Sequence, residues 1–167
     1  MGTKSICKYI NTNNSLTSLD LGNNSVMDEG AKIIATSLFK NVSLKKLLLY
    51  DNNIGPDGAK HLALMLKSNP FNPLLFLDLQ LNKISDKGSS KFEKCLVHNQ
   101  NIVELHIQLN GIIDKQIKYR IEDILDLNLK SKKIKVFMLM VFKFEPSKFP
   151  FTKLPKRLYY HLLTFLR

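Results

Sequence analysis

The chain has 167 residues, of which 44% are hydrophobic, and a formal net charge of +11 at neutral pH. This length suffices for one domain with a real core, and the longest apolar run, Val136 to Phe142, is too short to cross a bilayer. The two cysteines, Cys7 and Cys95, lie far apart, which excludes a disulfide framework and indicates a reducing compartment such as the cytoplasm.

The positive charge is concentrated towards the C-terminus. Residues 1–114 carry 12 basic and 10 acidic side chains, whereas residues 115–167 carry 13 and 4. A basic segment can bind nucleic acid or an anionic membrane, in which case binding weakens steeply as salt rises. We instead attribute the charge to solubility and compositional bias, because the chain has 22 lysines, 15 asparagines and no tryptophan.

The first element predicted is a helix. In residues 1–15, Ile6 and Ile10 precede Leu16 by ten and six residues, and apolar residues precede Leu44 at the same distances. This segment therefore resembles the second half of a repeat. We expect it to form a helical N-terminal cap, because a terminal repeat must cover its apolar edge.

A frame of Leu-x-x-Leu-x-Leu-x-x-Asn-x-Val/Ile recurs within residues 16–125. Its four copies begin at Leu16, Leu44, Leu74 and Ile102, in steps of 28, 30 and 28 residues. Four copies at near-constant spacing predict a solenoid. The alternating leucines predict a short strand with those side chains inward. The asparagine of each frame is expected to form a buried ladder with its counterparts; these residues are Asn24, Asn52, Asn82 and Asn110.

The second half of each repeat predicts a helix. Gly30, Gly58 and Gly88 are each followed by apolar residues at helical spacing, and glycine there would allow close backbone approach. Aspartates are expected to cap the helix starts: Asp28, Asp57, Asp86 and Asp114. Asparagines in the left-handed conformation are expected to end the helices: Asn13, Asn41, Asn69 and Asn99.

Strand, turn, helix and turn in 28 to 30 residues resemble a leucine-rich repeat of the ribonuclease-inhibitor-like type. The resemblance covers about residues 6–125. It implies an α/β solenoid in the form of a horseshoe, with parallel strands on the concave side and helices on the convex side. It also suggests a bacterial effector that acts on proteins in the host cytoplasm.

Residues 126–167 are predicted to form a degenerate fifth repeat and a C-terminal capping helix. Ile134, Phe137 and Leu139 keep the strand frame, and an apolar helical face runs from Leu154 to Leu166. This end also resembles the start of an F-box, which implies docking to a Skp-type ubiquitin-ligase adaptor. We favour the cap, because a proline at a helix start needs no such function.

The sequence predicts no catalytic residue, no metal site and no cofactor. Its histidines lack metal-ligand spacing, and no glycine-rich phosphate loop is present. Ran GTPase-activating proteins belong to the resembled subclass and present an arginine or asparagine to the GTPase. Here the three arginines, Arg120, Arg157 and Arg167, lie outside the first three repeats. Regulation of a small GTPase is therefore an alternative rather than our expectation.

The outward positions of the predicted strands form the candidate binding site. Aligned across the sheet, they give an apolar and aromatic patch with a charged rim, which is typical of a protein-binding surface. His106 could make such binding pH-dependent. We expect a monomer that binds one protein partner through these concave-face residues: Lys46, Leu48, Tyr50, Asp51, Phe76, Asp78, Gln80, Leu81, Glu104, His106, Gln108 and Leu109.

Overall fold

Strands and helices alternate along the chain. The structure is a computed structural model that describes residues 2–69, 72–112 and 114–144. Its elements are, in order, α1 (Gly2–Thr12), β1 (Ser18–Asp20), α2 (Met27–Leu38), β2 (Lys46–Leu48), α3 (Pro56–Ser68), β3 (Phe76–Asp78), α4 (Ser85–Leu96), β4 (Glu104–His106) and α5 (Lys115–Phe144). The chain divides into two compact units, residues 1–128 and 129–167. The coils described below all belong to the first unit.

The four strands form one parallel sheet in the order β1-β2-β3-β4. The central leucines of the strands pair in register, Leu19 with Leu47, Leu47 with Leu77, and Leu77 with Leu105. The last three are buried, whereas Leu19 is half-buried because β1 is an edge strand. The predicted inward leucines and the predicted stacking of successive coils are therefore confirmed.

Helices α1 to α4 pack side by side on the other side of this core. Glycine is required where each helix meets the coil before it. A Cβ atom on Gly58 would lie 2.6 Å from Asp28 Oδ1 and 3.0 Å from Asp28 Cα, and one on Gly88 would lie 2.5 Å from Ile84 Cγ2. The predicted close approach at these two glycines is confirmed, because real side chains are not tolerated at such distances.

The asparagines that follow the strands form the predicted ladder. The side-chain amides of Asn52, Asn82 and Asn110 each donate to a backbone carbonyl of the preceding coil, at 2.8, 2.9 and 2.7 Å. Their Oδ1 atoms accept backbone N–H groups of that same coil. Asn24 has no coil before it and is exposed. The ladder therefore holds neighbouring coils in register through polar groups that water does not reach.

A second asparagine column follows the helices, and its mechanism differs from the prediction. None of Asn13, Asn41, Asn69 and Asn99 adopts the left-handed conformation. Instead, buried amides donate to carbonyls of the preceding coil at 2.8 to 2.9 Å and, in the first three, Oδ1 accepts the N–H of the next frame's first residue; these are Asn41, Asn72, Asn99 and Asn128. The helix ends are thus stabilised by side-chain hydrogen bonds rather than by backbone strain.

The helix-start aspartates are where the sequence places them, but they act differently from one another. Asp28 lies in the first turn of α2, yet its Oδ1 accepts the N–H groups of Gly55 and Gly58, at 2.7 and 2.8 Å, at the start of α3. Asp86 likewise accepts the N–H of Asp114, at 3.0 Å. Two of the aspartates therefore bond to the start of the next coil, where negative charge is favourable.

The prediction of a fifth strand is wrong. Ile134, Phe137 and Leu139 lie within α5, and Met138 and Met140 of the predicted columns lie there with them. The segment preceding them lacks the glycine or proline turn of the earlier repeats and is rich in good helix formers, so the helix continues. The predicted capping helix and F-box-like segment lie outside the described residues.

Candidate protein-binding face

The outward side chains of the four strands are aligned in the predicted columns. One column joins Ser18, Lys46, Phe76 and Glu104, and the next joins Asp20, Leu48, Asp78 and His106. Backbone hydrogen bonds extend the alignment beyond the strands, from Asn23 N–H to the Tyr50 carbonyl, Asp51 N–H to the Gln80 carbonyl and Leu81 N–H to the Gln108 carbonyl. The twelve residues predicted for the concave side, called the strand face below, therefore share one surface.

An aromatic group lies at the centre of the strand face. The rings of Phe76 and His106 make an edge-to-face contact, with centroids 4.8 Å apart and an interplanar angle of 73°. Lys46 Nζ lies 4.7 Å from the Phe76 centroid on the other side, close enough for a cation–π interaction. Phe76 is thus held between its two neighbours in the same sheet while remaining half-buried.

Two carboxylates flank His106. Its Nδ1 lies 4.0 Å from Asp78 Oδ2, and its Nε2 lies 3.9 Å from Glu104 Oε2. Gln80 Nε2 lies 3.3 Å from the same Nδ1. Asp78 differs from the predicted rim residue, because only 8% of it is exposed and its Oδ1 accepts the backbone N–H of Gln80 at 2.9 Å. Glu104 is the more accessible of the two carboxylates.

The edge of the strand face carries leucines in an unusual backbone conformation. The equivalent positions after the four strands are Asn23, Asp51, Leu81 and Leu109, and all have φ between 51° and 58°. Asparagine and aspartate tolerate this left-handed region, whereas leucine is strained there by roughly 1–2 kcal/mol. Leu81 and Leu109 are also 50% and 71% exposed. Both leucines thus combine strain with exposure, neither of which improves folding.

Tyr50 is less free than the sequence suggests. A Cβ atom placed on Gly22 would lie 2.1 Å from Tyr50 Cζ, so the ring covers the backbone of the first coil. Glycine at this outward position of the first coil is the sequence signal that could have revealed this contact. Tyr50 is therefore a half-buried part of the strand face that can be displaced only by moving its ring.

Other chemistry in the first unit is sparse. Burial raises the pKa of both thiols, Cys7 and Cys95, so neither has the character of a nucleophile. Among the described residues, no cluster of side chains suited to hold a metal ion occurs. No helix in that part of the chain has an apolar stretch long enough to span a bilayer.

A cavity that the sequence did not reveal lies beside the last strand. It has a volume of about 380 Å³ and is lined by Leu105, Ile107, Ile112, Lys118 and Ile121, among others. Its walls are mainly the apolar side chains of the fourth coil and the start of α5. The cavity has no cluster of polar groups that would orient a small ligand, so we regard it as the open end of the core.

Comparison with known proteins supports the same architecture. Residues 12–35, 40–63 and 72–92 match a family model described as a leucine rich repeat. The chain is similar to the solved structure of leiomodin-1 actin-binding site 2, at 19% identity over 83% of this chain and 94% of that one, with a TM-score of 0.64. It is also similar to the tropomodulin C-terminal domain of Caenorhabditis elegans, at 11% identity over 82% and 99%, with a TM-score of 0.55.

No curated protein sequence matches the chain, and at these identities the likeness to solved structures establishes the fold alone. The evidence for the family lies in the sequence frame, the register of the strands and the matched segments together. The chain is a leucine-rich repeat protein with an α/β solenoid fold.

Proposed function

We propose that this chain is a non-enzymatic module that binds one protein partner through its strand face. The observation that carries the proposal is the pair Leu81 and Leu109. In the first two coils the same position holds Asn23 and Asp51, which suit its left-handed backbone. Leucine there costs backbone strain and exposes apolar surface, so a partner that covers both side chains gives them a role.

The mechanism of binding would be preorganisation. Beneath the strand face, Leu47, Leu49, Leu77 and Leu79 are fully buried, and the asparagine ladder fixes the backbone between them. A partner therefore meets side chains that are already held in place and need little ordering on binding. Phe76, held between Lys46 and His106, has the size and the central position of a binding anchor.

The first test replaces Phe76 with alanine and uses Phe39→Ala as the control. Phe39 is 47% exposed at the end of α2, outside the strand face, so both changes remove a partly exposed ring. We expect Phe76→Ala to lower partner capture from a lysate of the source cells about tenfold or more, as truncation of an anchor does. Phe39→Ala should leave capture within a factor of about two.

Quantitative mass spectrometry of proteins retained by the immobilised full chain measures this difference. Both variants should stay folded, because each ring is only partly buried and its loss should cost less than the roughly 3–5 kcal/mol of a core phenylalanine. Equal capture by wild type and Phe76→Ala would contradict binding through the strand face.

Actin is the first individual partner to test. The leiomodin structure is named for an actin-binding site, and this chain covers 94% of it. The argument is analogy between folds, so it needs a direct measurement. Co-sedimentation of the full chain with filamentous actin, compared with Phe76→Ala, should show binding that the substitution weakens. Absence of wild-type binding would exclude filamentous actin while leaving the module itself untouched.

We extend the proposal to location. Two free, buried thiols suit a reducing compartment, so we place the protein in the cytoplasm, or in a host cytoplasm if it is a secreted effector. Fluorescence imaging of the tagged full chain tests this placement.

A further inference from the structure

The strand face is acidic although the chain as a whole is strongly basic. Its twelve residues include three carboxylates, Asp51, Asp78 and Glu104, against one lysine, Lys46, for a net charge of −2, whereas the full chain carries +11. Asp20 of the first coil lies in the same column as Asp78 and adds a further negative charge. The sign of the charge therefore reverses on the one surface that the proposed function assigns to a partner.

These carboxylates lack the cationic neighbours that other carboxylates of the first unit have. Glu93 pairs with Arg120 at 2.6 Å, and Glu29 and Glu122 lie 3.8 and 3.9 Å from lysines. On the strand face, among the described residues, no lysine or arginine lies within ion-pair distance of a carboxylate. Lys46 faces the Phe76 ring instead. The negative charge is thus left to be balanced by something outside the chain.

We infer that the strand face takes a cationic and apolar segment of a partner protein, in which arginine or lysine side chains reach Asp51 and Glu104 while apolar side chains cover Leu81 and Leu109. This inference rests on the proposed function and narrows its partner class. Charge complementarity of this kind steers encounter and selects between partners more than it adds affinity. An acidic segment would place like charges together, which disfavours it.

The alternative explanation is that the acidic residues serve only the fold, and it applies to some of them. Asp20 and Asp78 each accept the backbone N–H two residues further on, at 2.8 and 2.9 Å, so they also stabilise turns. Glu104 contacts only His106 at 3.9 Å, and Asp51 is exposed. Asp51 and Glu104 are therefore the residues whose neutralisation reports on binding rather than on folding.

The test compares the isosteric variant Asp51→Asn/Glu104→Gln with the control Glu29→Gln/Glu122→Gln, which removes the same charge from α2 and α5. Fluorescence anisotropy measures binding of the full chain to three short labelled peptides, composed of leucine and arginine, leucine and glutamate, or glycine and arginine. We expect the leucine–arginine peptide to bind best. The strand-face variant should bind it about tenfold more weakly, and the control should change binding less than about twofold.

Each outcome of this experiment decides the inference. Preference of the wild type for the leucine–glutamate peptide would overturn it, as would equal binding of the leucine–arginine peptide by both double variants. Equal binding of the glycine–arginine and leucine–arginine peptides would show attraction by charge alone and would also overturn it. If Phe76→Ala still loses its partner in that case, the proposed function stands without this partner class; if Phe76→Ala captures normally, the proposed function itself fails.

Discussion

Replacing Asn82 with alanine should lower the free energy of unfolding by about 3–5 kcal/mol, near the upper limit for a single substitution. The Asn82 amide donates to three backbone carbonyls at 2.9 to 3.1 Å. Its Oδ1 accepts the N–H groups of Asn52 and Ile54 at 3.1 and 2.9 Å. The residue is only 6% exposed, so alanine would leave these backbone groups without partners and out of reach of water.

The matched control is Asn24→Ala, which makes the same change at the same position of the first frame. Asn24 is exposed, and its amide donates only to two carbonyls of its own coil. Water can replace those bonds, so the loss should be below about 1 kcal/mol. Urea unfolding followed by circular dichroism measures both values. Equal losses would contradict the idea that the ladder holds the coils together.

Much of the fold could be predicted because the frame repeats local chemistry. Alternating leucines indicate a strand with one buried side, and a period of 28 to 30 residues places successive strands side by side. The register of the strands follows once equivalent leucines are aligned, and it gives the columns of the strand face as well. These predictions depended on spacing alone, so they hold without knowledge of any contact.

Other features could not be predicted because they depend on contacts between coils. The third repeat begins 30 residues after the second, so the buried amide that bonds Leu38 belongs to Asn72, while Asn69 donates to the Phe39 carbonyl. Asp28 likewise acts on the next helix, at a distance of 27 to 30 residues in sequence. Nothing in a linear pattern indicates which coil a side chain reaches.

The strand face lies between these two cases. Leu81 and Leu109 could be recognised from sequence as exposed apolar residues, but leucine gives no signal of a left-handed backbone. The signal lay in the aligned residues Asn23 and Asp51, which are types that favour that conformation. Comparison of equivalent positions between repeats therefore carries information that no single repeat contains.

The double variant Leu81→Asn/Leu109→Asn should have opposite effects on stability and on binding. Asparagine tolerates the left-handed backbone better than leucine, so each change should raise the free energy of unfolding by about 0.5–1 kcal/mol. Neither leucine is in the buried core, since 50% and 71% of them are exposed, so little packing is lost. Removing both apolar side chains should weaken partner capture about a hundredfold, because each would be a central contact of the partner.

Leu64→Asn is the control, because Leu64 is 42% exposed on helix α3. That change should lower stability by about 0.5 kcal/mol, since asparagine is a poorer helix former than leucine, and it should leave capture unchanged. Urea unfolding and quantitative capture of the same protein samples give both readouts. A destabilised Leu81→Asn/Leu109→Asn variant that still captures its partner would show that the two leucines serve packing, whereas higher stability with lost capture would mean that binding maintains them at a cost to the fold.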